Sequence, residues 1–102
     1  MNQDVFHNHL VLSLGYKRIL QNKQISITID DIAFPDNPRI TLDVYDGKLK
    51  LIYNASQSAE DVAANILPEQ KELMKAYTLE DEIKVIISAT YRAYIQATTN
   101  SF

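Results

Sequence analysis

Between Ile40 and Tyr53 apolar and polar residues alternate in two runs, ITLDVY and KLKLIY, separated by Asp46-Gly47. Asp-Gly supplies the positive φ angles of a two-residue type I′ turn, so the stretch predicts a tight β-hairpin. Counting outward from the turn sets the register. Tyr45 faces Lys48, Val44 faces Leu49, Asp43 faces Lys50, Leu42 faces Leu51, and Ile40 faces Tyr53. One face then collects Ile40, Leu42, Val44, Leu49, Leu51 and Tyr53. The other carries Thr41, Asp43, Tyr45, Lys48, Lys50 and Ile52, with Asp43 and Lys50 as opposed charges.

Upstream, Ile25, Ile27 and Ile29 alternate with polar partners in QISITID, a β-rich pattern with one buried face. The loop DDIAFPDNPR separates this strand from the hairpin, and Ile32 and Phe34 are expected to fold back onto the sheet. The simplest sheet is antiparallel with order 1-2-3; pairing of the first strand with the third is the alternative. Residues 4–21 fit two periods. Val5, His9, Leu12, Tyr16 and Ile19 lie at helical spacing, whereas Leu10, Leu12, Leu14 and Tyr16 alternate as in a strand. Length favours one helix, with Gly15 as its weak point and Lys17, Arg18 and Lys23 near its C-terminal end.

From Ser58 onward the period is helical. Ser58-Ala59-Glu60-Asp61 reads as a cap for a helix carrying Val62, Ala63, Ile66 and Leu67. Pro68 ends or kinks it, and residues 69–77 continue as a second short helix. Thr78 is the expected cap of a last helix over residues 79–98, with Glu80, Asp81 and Glu82 in its first turn. Leu79, Ile83, Ile86, Ile87, Thr90, Tyr94 and Ala97 form its stripe, and Val85, Tyr91 and Ile95 fall outside. A helix apolar on more than one side is central in its domain or part of an interface.

These elements define an α+β fold in a single domain over residues 1–102. It has an N-terminal helix, a three-stranded antiparallel sheet with the Asp-Gly hairpin, and two to three C-terminal helices packed on one sheet face. With 102 residues the core is modest, which favours a partner or a homodimer. Hydrophobic residues make up 46% of the chain and charged residues 23%, the balance of a soluble globular protein. The net charge of −3 comes with no basic patch, which argues against a nucleic-acid binder. Cysteine is absent, which excludes disulfides, thiolate metal sites and a cysteine nucleophile. The first residues lack a basic segment followed by an apolar one, and no apolar run nears the ~20 residues of a membrane span, so the expected location is cytoplasmic. Size and composition also suit a gene from a bacterium, a virus or a mobile element.

Candidate chemistry is sparse. His7 and His9 would share a metal only on a strand, and no third histidine exists. Asp30, Asp31, Asp36 and Asp46 could hold a divalent cation, but their spacing is not that of a calcium loop, and turn aspartates ordinarily bond their own backbone. Glu80 to Glu82 complement a helix dipole more simply than they make a site. No phosphate-binding glycine loop and no serine–histidine–aspartate set can be assembled, so no catalytic residue, metal or cofactor is assigned and an enzyme is not expected. Tyr45, Lys48 and Lys50 on the hairpin could stack bases or meet a protein. Val85, Tyr91 and Ile95 could meet a protein partner or a second copy.

The run LGYKRILQNKQISITIDD, Leu14 to Asp31, together with the element order, resembles the N-terminal half of type III secretion chaperones. It covers about half the chain, which is short for that family and lacks its later strands. The resemblance implies a small acidic dimer that binds other proteins. The expectation from the residues is likewise a non-catalytic protein-binding role, as adaptor, chaperone or inhibitor. The alternatives are a nucleic-acid or nucleotide-binding module using Tyr45, Lys48 and Lys50, and a metal-dependent enzyme using the loop aspartates.

Overall fold

The hairpin register is the one counted from the turn. The computed structural model describes residues 3–14, 25–45 and 47–99. Within them Val44 pairs with Leu49, Asp43 with Lys50, Leu42 with Leu51, Thr41 with Ile52 and Ile40 with Tyr53. These pairs join β2 (Arg39–Val44) to β3 (Leu49–Asn54), and β1 (Ile25–Asp30) pairs antiparallel with β2 on the other side. The sheet is therefore ordered β1-β2-β3. Gly47 has φ +89°, and Tyr45 also adopts a positive φ of 51°. The Lys48 amide reaches the Tyr45 carbonyl at 3.4 Å. Asp46 lies outside the described residues.

The N-terminal segment is a helix, α1 (Gln3–Leu14). Its buried positions are Phe6 and Leu10, one helical turn apart, and it packs mainly on the last helix. This corrects the expected stripe, since Leu12 is 81% exposed. Apolar residues crowd most of α1, so more than one stripe has helical spacing, and packing selects the one centred on Phe6. Tyr16, Ile19, Gly15 and the basic residues Lys17, Arg18 and Lys23 lie outside the described residues. Ile32 is a second correction. The Asp30 carboxylate accepts the amides of Ile32 and Ala33, both at 3.1 Å, and this turn leaves Ile32 92% exposed. Phe34 is half-buried under the Arg39 guanidinium, 4.0 Å from its ring centre.

Three helices follow the sheet: α2 (Ala59–Ala64), α3 (Pro68–Ala76) and α4 (Ile83–Thr99). Ser58 caps α2 by accepting the Asp61 amide at 3.1 Å, as its sequence promised. Pro68 stands in the first turn of α3, where its missing N–H costs nothing. Thr78 does not cap α4. It takes φ +52° and closes α3 instead. Its amide donates to the Lys75 carbonyl and the Leu79 amide to the Met74 carbonyl, which is a Schellman closure, and Leu79 and Met74 are both buried. A β-branched residue in this position is strained where glycine would not be. The turn over residues 79–82, including the acidic run, then leads into α4 at Ile83.

The expected α4 stripe is the core. Ile83, Ile86, Ile87, Thr90 and Ala97 are buried and Tyr94 is half-buried against them. Their counterparts on the sheet are Ile25, Ile27, Ile40, Leu42, Val44, Leu49, Leu51 and Tyr53. Helices thus pack on one sheet face. Among the described residues, no helix is long and apolar enough to cross a membrane.

One polar pair joins the layers. Thr90 Oγ1 donates to the Ile87 carbonyl at 2.7 Å, so the Tyr53 hydroxyl, 3.0 Å from Thr90 Oγ1, must be the donor of that pair. Burial pushes the Tyr53 phenol well above its ordinary pKa of 10.0, because the phenolate would lose its hydration there.

Candidate functional site

The two outer strands of the sheet carry unpaired backbone groups, and side chains cover some of them. On β1, the Ile29 amide donates to Gln3 Oε1 at 3.2 Å. His7 Nε2 lies 2.7 Å from the Ile27 carbonyl, with Gln3 Nε2 at 3.5 Å from the same oxygen. A bond to a carbonyl requires a proton on His7 Nε2, so the Gln3 amide nitrogen beside it, at 2.9 Å, is a neighbour and not its donor. Gln3 and His7 stand one turn apart on α1 and face β1 together. His7 and His9 therefore diverge on a helix, and His7 serves the sheet edge.

On β3 the Lys50 amide donates to Gln70 Oε1 at 3.1 Å, and the Asn54 amide to Gln57 Oε1 at 2.8 Å. Backbone groups two residues apart in a strand point the same way. The amide and carbonyl of Ile52 therefore face outward as well, and among the described residues nothing outside the sheet meets them. Beside this edge runs a groove of about 190 Å³ lined by Ile52, Gln57, Val62, Ile66, Leu67 and Gln70, together with neighbouring β3 residues. Ile52 and Leu67 are 56% and 60% exposed.

The structure separates the hairpin candidates. Tyr45 is half-buried and packs on Tyr77, with ring centres 4.6 Å apart. Its left-handed backbone turns it toward α3 and out of the alternation. Lys48 is exposed at the turn. Lys50 sits on the open sheet face with Nζ 3.8 Å from Asp43 Oδ1, an oxygen with no hydrogen bond that lies out of water. The three residues do not form one aromatic and basic platform.

The helix candidates do share a surface. Val85, Ser88, Arg92 and Ile95 follow one another along α4 at three- and four-residue steps, with Tyr91 beside them. Val85, Tyr91 and Ile95 are 52%, 42% and 37% exposed, opposite the buried stripe. A depression of about 290 Å³ next to this face is lined by Tyr91, Arg92 and Ser88 together with residues 56–60.

Of the loop aspartates, Asp30 is engaged in its own turn. Among the described residues, no group of three or more His, Cys, Asp or Glu side chains is placed to hold a metal ion. The edge residues Gln3 and Gln70 were not legible as such, because their bonds join elements far apart in the chain, and Gln57 acts through the local turn that follows β3. The one available signal was Ile52, the single aliphatic residue on the hairpin's polar face.

Comparison with family models, with curated proteins and with solved structures returns no match. The resemblance to secretion chaperones rests on the element order and on the run Leu14–Asp31, of which residues 15–24 lie outside the described residues.

Proposed function

We propose that the protein is a non-catalytic protein-binding module, an adaptor, chaperone or inhibitor that works by contact with a protein partner or a second copy of itself. The observation that carries this reading is the outer face of α4. The helix buries one stripe in the core and presents Val85, Tyr91 and Ile95 on the other side. Aromatic and aliphatic anchors interleaved with Arg92 and Ser88 match the make-up of protein interfaces, where tyrosine and arginine are enriched and the rim is polar. Because the inner stripe fixes the helix, the outer one is presented on a rigid element.

Purification from the native cell, with mass spectrometry and light scattering, tests this. The wild-type protein is expected to travel as a dimer or with a stoichiometric protein partner. Val85→Glu and Ile95→Glu place charges at exposed positions, so each should leave a folded monomer with unchanged circular dichroism and abolish that association. Variants that remain folded and fully associated would move the interface off α4.

A further inference from the structure

We propose that the β3 edge receives an extended peptide segment of a partner protein as a fourth strand, with one apolar side chain of that segment in the groove beside Leu67. This rests on the protein-binding reading, but it uses a surface separate from the α4 face. The first reason is hydrogen bonding. Ile52 offers an outward amide and an outward carbonyl in the middle of an edge strand. The Lys50 amide before it is covered by the Gln70 side chain. Asn54 after it is closed by Gln57, whose side chain accepts the Asn54 amide and whose own amide donates to the Asn54 carbonyl at 2.9 Å. An extended main chain supplies donors and acceptors at that repeat, as no isolated side chain does.

The second reason is the groove. Successive side chains of an added strand point to opposite sheet faces. One would enter the groove along Val62, Ile66 and Leu67, which at about 190 Å³ in all has room for a branched aliphatic side chain. Its neighbours would lie beside Ile52, the exposed aliphatic residue on the open face. The third reason is access. Gln70 of α3 reaches the strand itself, so the corner between α2 and α3 stands close beside this edge. A second folded copy approaching edge to edge would bring a second such corner against it, whereas a slender segment would not. The β1 edge is not an equivalent site, because Gln3 and His7 of α1 already stand against it, at the Ile29 amide and the Ile27 carbonyl.

The experiment is selection from a displayed library of random linear twelve-residue peptides, followed by titration of a selected peptide into the purified protein. Ile52→Pro removes the outward amide and no bond to β2, a change edge strands tolerate. Leu67→Asp changes the groove at an exposed position. Each is expected to weaken the selected peptide by about tenfold or more, with melting temperature little changed. Gln70→Ala uncovers the Lys50 amide and is expected to bind the peptide about twofold more tightly, an effect that mere loss of structure would not produce. Val85→Glu should leave peptide binding intact, so failure of the α4 reading and failure of this one are distinguishable. A library that yields no binder, or binders indifferent to both Ile52→Pro and Leu67→Asp, would overturn the proposal. So would a dimer that Ile52→Pro dissociates, because the edge would then belong to a second copy.

Discussion

β1 and β3 are the two outer strands of one sheet, and they are closed by different means. At β1 a single helix does the work. α1 is fixed in the core by Phe6 and Leu10, and Gln3 and His7 on the same helix meet the outward carbonyl of Ile27 and the outward amide of Ile29. The Gln3 side-chain amide stands where a neighbouring strand's peptide group would stand. At β3 the cover comes from Gln70 of α3 on the Lys50 amide and from Gln57, in the turn after the strand, on both backbone groups of Asn54, and the middle of the strand is left open. An open strand edge invites pairing with another chain, so proteins ordinarily blunt both edges. The contrast teaches that closure at β1 is part of the core, whereas closure at β3 is a surface arrangement that can be exchanged.

The largest expected effect comes from breaking the anchor of the closed edge. Phe6 is fully buried. Phe6→Ala should cost about 3–5 kcal/mol, as for other large-to-small core changes, measured by denaturant unfolding. If closure of β1 depends on α1, the Ile29 amide should lose hydrogen-exchange protection in this variant well before the Ile40 amide in the central strand. Equal loss at both would show that the sheet and α1 unfold as one unit.

A smaller effect tests how the open edge strand is held from within. Tyr53→Phe removes the hydroxyl that joins β3 to α4 through Thr90. It should cost about 1 kcal/mol at neutral pH, the usual worth of one hydrogen bond. Its pH dependence carries a sign. The folded phenol sits above its ordinary value because burial disfavours the phenolate. Below pH 10 both folded and unfolded chains hold the proton, and stability on this account is flat. Above pH 10 the unfolded chain releases it first, so stability falls by up to about 1.4 kcal/mol per pH unit until the folded phenol titrates. Subtracting the Tyr53→Phe curve from the wild-type curve isolates this limb, because the remaining groups are common to both proteins. A difference curve that stays level from pH 9 to pH 12 would mean that the Tyr53 hydroxyl is not sequestered.

The same contrast explains what could be read from the residues. The hairpin register and the α4 stripe were legible because turn chemistry, period and burial all point one way there. The phase of α1 was not, because its apolar residues allow more than one stripe and only contact with α4 chooses Phe6 over Leu12. Ile32 was misplaced because the Asp30 turn, a local bond, overrides its hydrophobicity. Thr78 reads as a helix start from its side chain, yet its backbone serves the end of the helix before. Of the candidate interface, Val85, Tyr91 and Ile95 follow from the helical period alone. The edge cover does not: the bonds of Gln3 and Gln70 are long-range and leave no periodic trace, and that of Gln57 belongs to the turn after β3.

The smallest effect is the sharpest test of the comparison itself. Gln3→Ala and Gln70→Ala each delete one glutamine that accepts one edge amide, at 3.2 Å on Ile29 and 3.1 Å on Lys50. Similar bonds would suggest similar losses, but their settings differ. Gln3 is half-buried between α1 and β1, so its removal strands the Ile29 amide where water is hindered, and a loss of about 1 kcal/mol is expected. The Gln70 bond is exposed, so water replaces it and the loss should stay within about 0.5 kcal/mol. Hydrogen exchange should agree: Ile29 is protected until Gln3 is removed, Lys50 exchanges readily with or without Gln70, and Ile52 exchanges fastest of the three in the wild type. If both substitutions cost the same and Ile52 is as protected as Ile29, the two edges are equally closed. The open middle of β3 would then not exist in solution, and the peptide site would lose its physical basis.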